Sequence, residues 1–146
     1  MSFEHPRRVA LDDIIPQRFP FQMIDCVTYI DTLRTETELS VKEDNIFISD
    51  GALTAPGLTE NIAQTCAARI GFLNLMSGEP VKLGFIGAIR NLVVHRTPKA
   101  GELLRTTITV KEEVFGMTLV DADIFVEEEN IVTAEMKIAL SNIETV

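Results

Sequence analysis

The sequence has little of what several protein classes require. Its 146 residues include no tryptophan, one tyrosine, two cysteines and only 13 lysines and arginines against 22 aspartates and glutamates, so its net charge is −9. This shortage of cations argues against nucleic acid as a partner, because binding to phosphate backbones needs clustered lysines and arginines. Cys26 and Cys66 lie far apart with no second pair, which favours reduced thiols in a cytoplasmic protein.

Long apolar runs are also missing. None approaches the roughly 20 residues of a membrane span, and residues 1–13 contain charged side chains without the apolar stretch of a signal peptide. We therefore predict a cytoplasmic protein with no membrane partner. Since no repeat, linker or low-complexity tract interrupts the chain, residues 1–146 should form a single domain whose first part, 1–13, is a mobile segment.

The hydrophobic pattern predicts two strands, one helix and then four strands. Apolar residues recur every three or four positions over 58–76, which predicts a helix with Thr59 as its cap and Glu60 in its first turn. Strands are predicted over 22–31, 34–42, 83–95, 103–114, 117–126 and 131–140. The short breaks at 115–116 and 128–130 are hairpin lengths, which favours an antiparallel sheet. The expected fold is α+β, a curved sheet of about six strands wrapped around one long central helix, as in hot-dog proteins.

Most catalytic signatures are absent. The chain has no phosphate loop, dinucleotide-binding glycine motif, zincin motif or serine-hydrolase motif. Its two histidines, His5 and His95, are widely separated, so we expect no metal and no cofactor. The remaining candidate site is the Gly- and Pro-rich loop 51–57 with the helix behind it. Glu60 there is either a side chain that compensates the helix dipole or a carboxyl acid or base.

The neighbours of Glu60 add weight to the catalytic interpretation. Pro56, Gly57 and Leu58 surround a helix start, where backbone N–H groups can polarise a carbonyl oxygen of a substrate. Gln64 follows Glu60 by one helical turn and can hydrogen-bond either Glu60 or a substrate.

Three motifs in the same order resemble the bacterial beta-hydroxyacyl-acyl-carrier-protein dehydratases, over roughly residues 15–140. Residues 15–25 are similar to the opening motif of that family, and 60–64 are similar to its central-helix motif, which contains a catalytic Glu. Residues 84–87 and 99–102 resemble its later strand and turn. The loop 51–55 looks closer to a divergent branch that is associated with aryl-polyene-type pigment clusters.

The resemblance implies a lyase of fatty acid or polyene biosynthesis, a (3R)-hydroxyacyl-thioester dehydratase with Glu60 as its acid/base. Gln64 would support Glu60, the amides of 57–60 would hold the thioester oxygen, and an acyl tunnel would be lined by Phe85, Ile86, Gly87 and Ala88. The implied partner is an acyl carrier protein or a coenzyme A thioester. The implied assembly is a homodimer, a trimer of dimers or a heterodimer with a homologue.

The sequence departs from this family at the base. Ile46 occupies the position of the family's catalytic histidine, and the titratable candidates to replace it are Asp50 and His95. A local surplus of cations is either a carrier-docking patch, comprising Arg90, Arg96 and Lys99, or a set of solvated strand ends. Two other functions stay open. One is an acyl-thioester hydrolase, which needs no histidine, and the other is a non-catalytic acyl-binding or heterodimerising subunit.

Overall fold

The computed structural model describes residues 3–79 and 82–144, with side chains for 3–79 and 86–139. Its helix, α1 (Ala55–Ser77), lies against an antiparallel sheet. The strands are β1 (Cys26–Ile30), β2 (Arg34–Ser40), β3 (Ile48–Ser49), β4 (Ala52–Leu53), β5 (Lys82–Val94), β6 (Leu103–Val114), β7 (Met117–Val126) and β8 (Glu129–Glu144). The main sheet has the order β1-β2-β6-β7-β8-β5, and β3 pairs only with β4. The predicted hot-dog fold is confirmed.

The sheet buries the face that alternation predicts. Over residues 103–110 of β6, 120–126 of β7 and 132–138 of β8, alternate side chains are buried toward α1 and the intervening ones are more exposed. The buried set on the described parts of these strands consists of Leu104, Thr106, Ile108, Val120, Ala122, Ile124, Val126, Ile131, Val132, Ala134, Met136 and Ile138. The bounds of β6 and β7 agree with the prediction, because the Phe115–Gly116 turn separates them cleanly.

Several predicted boundaries are wrong. β1 covers only Cys26–Ile30, since both backbone polar groups of Met23 bind side chains of α1 instead of a strand. β2 ends at Ser40, and β5 covers Lys82–Val94. β8 begins at Glu129, so the predicted break at 128–130 is shorter. The loop before α1 contains an unpredicted hairpin, β3–β4, whose turn is Asp50–Gly51. β5 lies at the sheet edge next to β8, as its long connection to β6 permits.

The helix also starts earlier than predicted. α1 begins at Ala55, and Thr54 rather than Thr59 is its N-cap residue. The Thr54 hydroxyl does not cap a helical N–H; it donates to the carbonyl oxygen of Phe47 at 2.8 Å. Pro56 lies within the first turn, where a missing N–H costs no hydrogen bond. Glu60 is therefore in the second turn, where the helix dipole has largely faded.

Residues 3–13 of the N-terminal segment contact the rest of the fold. The Phe3 amide donates to the carbonyl of Ile30 at 3.1 Å, and its ring lies 5.6 Å from that of Phe72, measured between centroids. Arg7 forms an ion pair with Glu38 at 2.8 Å. These contacts attach residues 3–13 to β1, β2 and α1. Within the described residues, no helix is both long and apolar enough to span a membrane.

Gly71 allows the segment after residue 13 to approach α1 closely. A Cβ at Gly71 would overlap the backbone carbonyl of Ile14, a residue that is itself buried. Gly71→Ala should therefore lower the free energy of unfolding by at least about 2 kcal/mol, because backbone cannot yield as a flexible side chain can. Chemical denaturation measures the loss. Gly78→Ala is the matched control: it has open space and only a positive φ of 73°, so it should cost about 1 kcal/mol. Equal losses would contradict the packing argument.

Candidate active site around Glu60

Glu60 and Gln64 form a hydrogen-bonded pair on one face of α1. The Nε2 group of Gln64 donates to Oε1 of Glu60 at 2.9 Å, as the spacing of one helical turn allows. Gln64 is buried, whereas Glu60 is only partly buried. The pair that the sequence suggested is therefore present in the structure, with the carboxylate on the solvent side of the amide.

Gln64 cannot rotate its amide without losing other hydrogen bonds. The Met23 N–H donates to Gln64 Oε1 at 2.6 Å, and Gln64 Nε2 donates to the Phe21 carbonyl at 2.8 Å. A backbone N–H can only donate, so Oε1 must face Met23 and Nε2 must face Glu60. Oε1 of Glu60 is thereby committed as an acceptor. Within the described ranges Oε2 accepts no hydrogen bond, which leaves it open to a reacting group.

Asn61 completes this attachment. Its Nδ2 group donates to the Met23 carbonyl at 2.7 Å, and its Oδ1 accepts from the Thr106 hydroxyl at 2.5 Å. Asn61 and Gln64 together bind both backbone polar groups of Met23. All three side chains that make these bonds are fully buried, so each hydrogen bond also avoids the cost of an unsatisfied buried group.

The backbone at the start of α1 offers fewer donors than the sequence suggested. The Leu58 N–H donates to the Thr54 carbonyl at 3.0 Å, those of Thr59 and Glu60 are committed by the helical pattern, and Pro56 has none. Of the amides proposed for 57–60, that of Gly57 remains. Gly57 is buried against Phe47, whose Cβ would lie 2.6 Å from a Cβ at Gly57.

Two exposed apolar residues belong to segments that contact α1 near Glu60. Phe21 is 60% exposed, and Ile46 is 45% exposed. The Phe21 carbonyl binds the same Gln64 amide as Glu60. Ile46 precedes Phe47, which packs on Gly57 three residues before Glu60.

Neither candidate substitute base hydrogen-bonds to Glu60 in the described part of the chain. Asp50 is exposed and has a φ of 53° in the β3–β4 turn, where the sequence pair Asp–Gly is favoured for structural reasons. His95 is exposed and directly follows β5, and its backbone N–H donates to the Ile131 carbonyl at 2.8 Å. Among the residues described, Gln64 is the only hydrogen-bond partner of the Glu60 carboxylate.

The predicted acyl-tunnel residues lie on the edge strand β5. The side chain of Phe85 is outside the described set. Ile86 is exposed, Ala88 is half-buried, and Gly87 faces Met117. Among the described strands, β5 pairs with β8 alone, so these residues lie on an edge strand. Their role in binding an acyl chain stays a prediction.

The predicted docking cations do not form one free basic patch. Arg96 binds Glu102 at 2.8 Å and Glu129 at 3.0 Å. Hydrogen bonds to these carboxylates raise the pKa of Arg96, and Arg96 in turn lowers the pKa of Glu102. Arg90 and Lys99 form no ion pair with any described residue, but they lie on different segments, β5 and the loop after it.

Other reactive groups are inert or structural. Burial raises the pKa of the Cys66 thiol to about 12, so Cys66 is not a thiolate nucleophile at neutral pH. No group of His, Cys, Asp and Glu within the described ranges could hold a metal ion. Glu60 with its amide partner Gln64 therefore remains the candidate reactive group of the described residues.

A family model for ApeP-like proteins, described as ApeP dehydratase, matches residues 9–145. The chain belongs to the ApeP-like dehydratase family. None of the curated proteins compared with it matches. Solved structures share its fold. The dehydratase heterocomplex ApeI:P from Xenorhabdus doucetiae matches with a TM-score of 0.87 and 18% identity, covering 93% of both chains.

Two more distant structures show the same fold. A hypothetical thioesterase with coenzyme A from Streptococcus pneumoniae has a TM-score of 0.64 and 12% identity, with 82% of this chain and 87% of that one covered. An HP0420 homologue from Helicobacter felis has a TM-score of 0.67 and 9% identity, with coverage of 91% and 89%. At these low identities the two structures show a shared fold and nothing more. Family membership rests on the match to the ApeP-like model.

Sequence reasoning missed the role of Asn61 and of residues 21–23. A polar residue on the buried face of an otherwise apolar helix was a usable signal, since buried amides need partners. The partner itself, Met23, is 38 positions away in sequence and carries no motif that a local pattern would reveal.

The Gln64 amide can be tested by Gln64→Glu, which keeps the shape but removes both Nε2 donors. The new carboxylate would face Glu60 and the Phe21 carbonyl, so we expect a loss of about 2–4 kcal/mol in unfolding free energy at pH 7. Two adjacent carboxyls repel only when ionised. The loss should therefore shrink as pH falls from 7 to 4 and grow again as pH rises, measured by urea denaturation at each pH.

The double variant Glu60→Gln/Gln64→Glu is the control for this experiment. It restores one amide donor opposite one carboxylate, so the pH-dependent part that comes from repulsion should disappear. The lost bond to Phe21 and the cost of ionising a buried carboxyl at position 64 remain. A pH-independent loss in the single variant would contradict the assigned orientation of the Gln64 amide.

Proposed function

We propose that this chain is a subunit of a 3-hydroxyacyl-thioester dehydratase in which Glu60 transfers the proton to the leaving hydroxyl. The observation that carries the proposal is the fixed pair of Glu60 and Gln64 in a chain of the ApeP-like dehydratase family. Because Oε1 accepts from Gln64, a proton carried by Glu60 sits on Oε2, the open oxygen. The general acid is thus oriented before substrate binds.

The reaction requires three functions around one thioester. A base removes the C2 proton, an N–H donor stabilises the negative charge that develops on the thioester oxygen, and an acid protonates the C3 hydroxyl as the C3–O bond breaks. The products are the 2-enoyl thioester and water. Glu60 Oε2 supplies the acid, and the Gly57 N–H at the start of α1 is the proposed donor to the thioester oxygen.

The base is the missing element, and we propose that a second chain supplies it. Ile46 cannot accept a proton, and neither Asp50 nor His95 hydrogen-bonds to Glu60 in the described structure. Phe21 and Ile46 are exposed apolar residues on the segments that contact α1 near Glu60, and a partner chain would cover them. The solved relative with the TM-score of 0.87 is named as a heterocomplex, which supports a homologous partner that carries the base.

Mass spectrometry of a 3-hydroxyacyl thioester, offered on acyl carrier protein and on coenzyme A, tests the proposal. In the presence of its homologous partner the chain should remove water from the substrate, and Glu60→Gln should lower the rate at least about 100-fold, because the variant lacks the proton donor. Glu43→Gln, an exposed residue, is the matched control and should retain full activity. Release of a free thiol would instead identify a thioester hydrolase, and undiminished dehydration by Glu60→Gln would assign the chain a non-catalytic role.

Ile46→His tests whether the base alone is missing. Position 46 is exposed, so the substitution should leave stability within about 0.5 kcal/mol of the parent. The variant without any partner should dehydrate the thioester measurably faster than the parent chain without a partner. Ile46→Asn controls for a change in polarity only. Equal rates for the two variants would show that a histidine at this position does not complete the site.

A further inference from the structure

The turn between β6 and β7 has a sequence that its geometry does not favour. Phe115 and Gly116 connect the strands, and both have positive φ, 52° and 75°, as in a type I′ turn. Asn, Asp and Gly adopt positive φ readily, whereas a phenylalanine is strained by it. At the β3–β4 turn the same chain uses the favoured pair, Asp50 and Gly51, with φ of 53° and 77°.

Burial does not account for Phe115 either. Its side chain is 100% exposed, and the adjacent Val114 is half exposed. A fully exposed aromatic residue at a strained position lowers stability and solubility, and it contributes no packing to the core. Outliers of this kind are concentrated where a molecule binds something, and aromatic residues are the usual anchors of protein interfaces.

A cavity lies directly beside Phe115, away from α1. Its volume is about 410 Å³, and Leu119 belongs to it, whereas the next residue, Val120, faces the core. Its apolar lining comprises Val114, Phe115, Met117 and Leu119, and its charged rim comprises Arg90, Glu112 and Lys137. We call this cavity the hairpin groove.

The charges of the hairpin groove have no partners in the part of the chain that the structure describes. Among the described residues, Arg90, Glu112 and Lys137 form no ion pair and no side-chain hydrogen bond, although nearby Lys111 pairs with Asp121 at 3.5 Å. The groove thus combines unpaired charges of both signs with an apolar lining. A ligand that complements it presents an aromatic group close to a carboxylate and to a cation.

We propose that two copies of this chain associate through the hairpin groove. Each copy inserts Phe115 into the groove of the other and places Glu112 against Arg90 and Lys137 of the other. A two-fold axis makes such a contact self-complementary, since one surface supplies both the aromatic anchor and its site. The groove lies on the side of the sheet away from α1, so the contact leaves Glu60 accessible.

Sedimentation velocity of the full chain at about 0.15 M salt tests the association, with Phe115→Asn as the variant. The wild-type chain should reach twice the molar mass of the variant at micromolar concentration. At concentrations low enough for the wild type to be monomeric, the variant should also unfold about 2–4 °C higher, because asparagine suits the type I′ turn. Leu103→Asn, another exposed apolar residue, controls for surface polarity. Identical masses for the wild type and Phe115→Asn at every concentration would overturn the proposal.

Charge reversal tests the pairing across the axis. Glu112→Arg and the double variant Arg90→Glu/Lys137→Glu should each weaken association at least about tenfold, since either change brings like charges together. The triple variant Arg90→Glu/Glu112→Arg/Lys137→Glu should restore most of the affinity, because opposite charges face each other again. Glu43→Arg, far from the groove in sequence and exposed, should have no effect. Failure of the triple variant to regain affinity would refute this arrangement.

Discussion

The structure depends on the way that two buried amides of α1 bind the backbone of Met23. Asn61 and Gln64 are both enclosed by the protein, so water cannot take over their hydrogen bonds to the N–H and C=O of Met23. This attachment fixes where the chain enters β1 and aligns α1 with the sheet through Thr106. The same Gln64 amide orients Glu60, so core packing and the geometry of the site have a common origin.

A second row of polar contacts continues along α1 toward its C-terminal half. Thr65 meets Thr37 at 2.8 Å, and Arg69 donates to the carbonyl oxygens of Asp31 and Thr32. Burial lowers the pKa of Arg69, because a cation in the core lacks water and here binds neutral oxygens. These contacts secure the β1–β2 turn. The helix therefore holds β1 and β2 by polar bonds, whereas it meets β6 to β8 mostly through apolar packing, with the Asn61–Thr106 hydrogen bond as a polar contact to β6.

The sequence was informative where structure is decided locally. β6 and β7 follow from alternation and from one two-residue turn, and the Glu60–Gln64 pair follows from helical spacing. It was misleading where distant groups decide: β1 is shortened because side chains of α1 take the backbone bonds that a strand would have used. Pro56 was read as a loop residue, although proline is acceptable in the first helical turn. The sequence does not show whether Asp50 or His95 lies near Glu60, because residue type alone carries no information on distances in the fold.

The polar atoms around Glu60 fall into two groups: those that hydrogen-bond within the folded chain and those that are left open to a substrate. Every hydrogen-bonding atom of Gln64 and Asn61 contributes to holding the chain together. On the Glu60 carboxylate only one oxygen takes part, and the Gly57 amide is free of the helical pattern. Groups that stabilise a folded chain are not available to a substrate, so the atoms left over define the reactive surface. Under the proposed function the open Glu60 oxygen carries the proton and the Gly57 N–H binds the thioester oxygen, so neither group removes the C2 proton. This is the physical reason to propose that a second chain completes the site.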